Sequence, residues 1–256
     1  MMQPHSEDLL LAADDPYLSL EAARRLYAQG DTAHDFDHVL RVARMAVKIA
    51  YAEGADVPVV RLAALLHDVP AGAHAPDAAS GAEARADSGG SSDADIFAVR
   101  AAERLDHHHA AAAFARHWLS VRGLGTAARD NVVHCIEAHR FRDTSIQPAT
   151  LEAKCLYDAD KLDSIGAIGV VRAFAYAGAN GARMCTEPWT AMPDATLGPE
   201  HMPQGELYTP VHEYVYKLKR ILPTLHTETA RRIAAGRHAF MAAFFDQLDA
   251  EMVGEA

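Results

Sequence analysis

Four side chains have types and positions that suit a metal ion: His38, His67, Asp68 and Asp160. Neutral imidazole and ionised carboxylate are ligands for a divalent transition metal or magnesium, and an aspartate can also bridge two ions. His67 and Asp68 close an apolar run, Ala63-Ala64-Leu65-Leu66, so burying the aliphatic part leaves both ligands at the edge of a core. A His-Asp pair alone is common. It gains weight from a histidine upstream and an acid downstream, where packed helices can gather them. A metal held this way lowers the pKa of a bound water toward neutrality and acts as a Lewis acid on phosphorus.

The elements that must position these residues read as helices. Leu40, Ala43, Val47 and Ala50 recur at three and four positions, predicting a helix over 39–52. His38 starts it near the buried side, with Asp35 or Asp37 as caps. Asp56 and Pro58 open the next helix, which runs to His67 and Asp68. Residues 71–95 then lose all periodicity and read as a flexible insertion, either a lid or a surface loop. A helix follows over 107–121, and Thr126 is the expected cap of another with Val132, Cys135, Ile136 and His139 on one stripe. His134 points away from that stripe. Thr150 caps a long helix expected to reach about 176, with Ala153, Leu156, Asp160, Asp163 and Ala167 on one face. Gly166 and Gly169 within it suggest close helix packing, and Asp158 faces the other way with no role in the site. Two closing helices carry apolar stripes at Val211, Tyr214, Leu218 and Ile221, and at Ile233, Phe240, Phe244 and Leu248. No strand pattern is present. The expected architecture is all-α, one domain over 19–253 after an N-terminal tail over 1–18, with the insertion at 71–95.

Composition narrows the function. A net charge of -11 argues against a partner that is a nucleic-acid polymer. No run approaches the roughly 18 apolar residues of a membrane span, so no membrane partner is expected. The first residues lack the pattern of a secretory signal. Cys135, Cys155 and Cys185 show no paired spacing and read as thiols of a reducing compartment, which points to the cytoplasm.

Longer stretches resemble a known family. His34-Asp35-Phe36-Asp37-His38-Val39-Leu40-Arg41-Val42-Ala43, then Leu65-Leu66-His67-Asp68, then Ile136-Glu137-Ala138-His139-Arg140-Phe141, then Asp158-Ala159-Asp160-Lys161-Leu162-Asp163-Ser164-Ile165-Gly166 are similar to the HD-domain metal-dependent phosphohydrolases. The resemblance spans about residues 20–250. It implies an HD-type helical bundle with a divalent ion (Mn, Mg, or another such as Ni, Co or Fe) on His38, His67, Asp68 and Asp160. It also implies hydrolysis of a phosphate ester or anhydride, so the expected partner is a small phosphorylated substrate such as a nucleotide. In that frame Asp68 and Asp163 are the candidate catalytic carboxylates, and Lys161, Arg41 and His139 are candidate substrate contacts. Arg172 reads as a solvated or ion-paired side chain. In family members with two ions, extra histidines supply the second site, and His107-His108-His109 aligns poorly with them. Two departures touch substrate contacts. The insertion replaces a short basic segment after the HD pair, and His212 is displaced by one position from the family's C-terminal histidine. Pyrophosphohydrolysis of a nucleoside triphosphate is the leading reaction. A phosphodiesterase and a non-catalytic nucleotide or metal sensor are the alternatives.

Overall fold

Helical spacing and local caps account for the elements that hold the candidate ligands. In the computed structural model, residues 15–27, 36–70, 108–140, 145–192 and 205–256 are described. His34, Asp35, His107 and the insertion at 71–95 lie outside these residues. Ser19 accepts the Ala22 N–H and starts α1 (Leu20–Leu26). Helix α2 (Phe36–Glu53) buries Val39, Val42, Ala43, Ala46, Val47 and Ala50 on one side, with His38 among them. It begins at Phe36, ahead of the predicted start, because that ring is itself buried. Asp56 accepts the Val59 N–H and opens α3 (Val57–Leu66), as the sequence predicts. Every α3 residue from Val59 to Leu66 is buried, so this helix lies at the centre of its neighbours.

A fourth helix, α4, covers 108–121, and α5 spans Thr126–Glu137. Gly125, not Thr126, occupies the cap position of α5, and Thr126 is already helical. The stripe Val132, Cys135 and Ile136 is buried as expected. Helices α2 and α5 both pack on α3. Residues 15–18, at the end of the expected tail, are held to this group. Asp15 pairs with Arg61 at 3.0 Å, Arg61 donates to the Leu18 carbonyl, and Trp118 donates to the Tyr17 carbonyl.

Two compact units make up the chain, and they divide between Tyr157 and Asp158, within α6 (Leu151–Asp163). The long helix expected over 151–176 is two: α6 and α7 (Gly166–Ala179), bent by 62°. Gly166 makes the break. Its φ is +79°, and a Cβ there would fall 2.9 Å from Cγ of Arg237. At Gly169 a Cβ would fall 2.2 Å from the Ser164 carbonyl oxygen. The two glycines therefore form a sharp corner rather than a smooth helix face. The corner is clamped by Arg172, which donates to Asp163 Oδ2 at 2.8 Å, and by Arg237, which donates to the Leu162 carbonyl.

The rest of the second unit is α8 (Pro210–Tyr216), short 3-10 turns and α9 (Glu228–Val253). The expected helix through Ile221 stops at Tyr216, and Leu218 and Ile221 are buried from 3-10 turns instead. The apolar face of α9 is also offset from the predicted stripe. Met241 and Phe245 are buried while Phe240 is half exposed, because Tyr214 stacks on Phe245 with centroids 4.1 Å apart. Asp249 accepts hydrogens from the Trp189 and Thr190 backbone and from the Thr190 hydroxyl, which adds a polar anchor to that face. Among the described residues there is no strand, and the fold is all-α. Among them, no single helix is long and apolar enough to cross a membrane.

Candidate metal centre

Two histidines sit just past helix ends in the first unit, and both are held the same way. His67 is the C-cap residue of α3, and its Nδ1 lies 2.8 Å from the Ala64 carbonyl. His139 follows the C-cap of α5, and its Nδ1 lies 2.5 Å from the Ile136 carbonyl. A carbonyl only accepts, so Nδ1 carries the proton in each ring. In its neutral form, a ring held this way presents the Nε2 lone pair, which is the form that ligates metals. Helix ends leave carbonyls without intrahelical partners, and here two of these carbonyls orient the imidazoles.

Three of the buried histidines, His38, His67 and His139, converge on one carboxylate. Nε2 of His67 is 3.5 Å and Nε2 of His38 is 3.7 Å from Asp68 Oδ2, and Nε2 of His139 is 3.6 Å from Asp68 Oδ1. A ring nitrogen of His38 and one of His67 lie within 4.8 Å of each other. These nitrogen–oxygen separations exceed hydrogen-bond lengths. Lone pairs on His67 and His139 that face a carboxylate repel it, and a divalent cation among them removes the repulsion. The donor set fits such an ion.

The remaining predicted residues are placed as follows. Arg41 is on α2, one turn beyond His38, and is partly buried. Asp160, Lys161 and Asp163 lie on the part of α6 that belongs to the second unit. Lys161 donates to Asp160 Oδ2 at 2.5 Å, and both are largely buried. Asp163 is paired with Arg172, the ion-paired state expected for that arginine. Asp158 has a role that the sequence reading missed. It is fully buried and accepts from His226 N at 2.9 Å, Thr227 N at 2.7 Å and Thr227 Oγ1 at 2.7 Å. Burial raises its pKa, and the Thr227 and His226 bonds offset this in part. Asp158 thus anchors the start of α9, and the helical period alone gave no sign of it. His134 accepts from Ala149 N at 2.9 Å.

Two more residues adjoin the centre without standing in the motif. His108, from the poorly aligned histidine run, is buried with its ring centroid 6.4 Å from that of His139. Tyr27 is also buried beside the HD pair. Burial, and then the charge of Asp68, push its phenol well above the usual range, so it remains a hydroxyl. Nothing local marked Tyr27.

Known proteins place this geometry in a family. The family model for the HD domain matches residues 35–165. The chain belongs to the HD-domain family. The uncharacterized protein YpgQ of Bacillus subtilis (strain 168) is 30% identical over 226 residues, covering 87% of this chain and 86% of YpgQ. The crystal structure of Bacillus subtilis YpgQ in complex with ADP is similar at 26% identity and a TM-score of 0.59, covering 96% of this chain and 94% of that one. A predicted HD superfamily hydrolase from an uncultured Thermotogales bacterium is 25% identical, with a TM-score of 0.53 and 97% and 94% coverage.

Proposed function

We propose that this HD-domain chain is a divalent-metal-dependent phosphohydrolase acting on a small nucleotide, with 19–253 as the working domain. The observation that carries the reading is the convergence of three Nε2 atoms on the Asp68 carboxylate. The ADP bound by YpgQ supports a nucleotide as the substrate class. In this reading His38, His67, Asp68 and Asp160 are the ligands. The bound ion supplies Lewis acidity at phosphorus and a water of lowered pKa. Asp68 orients the attacking water and takes its proton, because its carboxylate is the base at the centre of the imidazoles. Lys161 and Arg41 neutralise phosphate oxygens, Lys161 exchanging its Asp160 partner for substrate. His139 offers a hydrogen-bond acceptor on the same side as Asp68. Asp163, bound to Arg172, positions the end of α6 that bears Asp160. Pyrophosphate is the expected leaving product, and the reducing compartment of the cytoplasm is the expected setting.

The test is product analysis on a mixed nucleotide panel with added manganese. Release of pyrophosphate from a triphosphate supports the reading. Hydrolysis only of phosphodiesters replaces it with the phosphodiesterase reading. Nucleotide binding with no hydrolysis across the panel, in ion-loaded protein, assigns the chain to the sensor class.

A further inference from the structure

The carbonyls that end α3 find their partners one by one. The Ala64 carbonyl takes the His67 ring, and the Leu66 carbonyl takes the Val69 N–H at 3.4 Å. Between them, the Leu65 carbonyl takes the hydroxyl of Tyr27 at 3.0 Å, from a residue 38 positions earlier. The hydroxyl thus ties the end of α1 to the last turn of α3, two residues before His67. The Tyr27 ring packs against Phe36, with centroids 5.8 Å apart. Phe36 opens α2, two residues before His38. A phenylalanine would fill the same space, so packing does not account for the hydroxyl. Burying an unbonded hydroxyl is costly, and this one is bonded to the backbone two residues before His67.

We infer that Tyr27 is a positioning residue for the metal centre. Its hydroxyl fixes the backbone from which His67 and Asp68 project, and its ring sets the start of the helix bearing His38. The functional consequence rests on the metal-centre reading above, whereas the backbone tie does not.

Tyr27→Phe in the full chain keeps the ring and removes the hydroxyl. Two quantities are read: amide hydrogen exchange over residues 66–69 in ion-free protein, and Mn²⁺ affinity by titration. Leu26→Ala, which truncates a buried neighbour on α1, is the control for a purely structural effect. Exchange over residues 66–69 is expected to quicken by about tenfold in Tyr27→Phe. Its Mn²⁺ affinity is expected to fall by about 10- to 100-fold with helical content unchanged. Leu26→Ala lowers the melting temperature and keeps wild-type Mn²⁺ affinity. Unchanged exchange over residues 66–69 overturns the inference. So does an affinity loss in Tyr27→Phe no larger than that of the control. If the wild type takes up no Mn²⁺, the metal-centre reading falls while the exchange result still decides the tie.

Discussion

Asp68 and Asp158 are both carboxylates among apolar neighbours, and what faces each one sets its task. Three hydrogens from His226 and Thr227 point at Asp158 over 2.7–2.9 Å. Three imidazole nitrogens stand 3.5–3.7 Å from Asp68, and His67 and His139 turn lone pairs toward it. A carboxylate surrounded by donors is complete as part of the fold. A carboxylate beside imidazole lone pairs can share a cation with them. Burial and residue type are therefore poor guides to function until the protons are placed.

The contrast can be broken most directly at Asp68. Asp68→Asn removes the charge and puts an amide donor among the lone pairs. Mn²⁺ uptake by equilibrium dialysis is expected to fall by more than the roughly 100-fold that outer partners of metal ligands are worth. The ion-free melting temperature should hold or rise. Wild-type uptake in this variant would undo the comparison. Asp158→Asn should do the reverse, losing about 1–3 kcal/mol in urea unfolding because donors at His226 and Thr227 are left short of an acceptor. Its ion uptake should match the wild type. A stable Asp158→Asn protein that has lost its ion would assign Asp158, not Asp68, to the centre.

Glu152 gives the smallest effect and a further point of contrast. Desolvation raises its pKa, but hydrogen bonds from Asp56 N and the Asn131 amide outweigh this, and the net shift is downward. A depressed carboxylate stabilises the fold above its ordinary value of 4.5 and loses that contribution as pH falls through its folded value. Glu152→Gln should therefore flatten the decline of the melting temperature below pH 4.5. An unchanged slope would show that these donors do little for Glu152, and would weaken the same argument for Asp158.

His38, His67 and Asp68, which the structure brings together, were legible because each sits beside a strong periodic apolar pattern or a matching motif. The buried stripes of α2, α3 and α5 followed from the same periodicity. The corner at Gly166 was not legible, since a glycine in an apolar helical pattern reads equally as a packing site and as a break. Asp158 escaped because its partners lie 68 and 69 positions away, at a cap whose location depends on the tertiary fold. Tyr27 escaped for the same reason. The shift of the α9 face came from the Tyr214–Phe245 stack, which outweighed the side-chain pattern of the helix alone.

The bonds from His67 and His139 to the carbonyls at the ends of α3 and α5 have one more consequence. Free imidazole in water rotates and exchanges its proton between two nitrogens, and an incoming ion must select one state from that mixture. Here the selection is completed when the two helices form. Affinity then depends on how firmly the last turns of α3 and α5 hold. Substitutions that fray either turn would weaken ion capture without altering a single ligand, and those that stiffen it would strengthen capture.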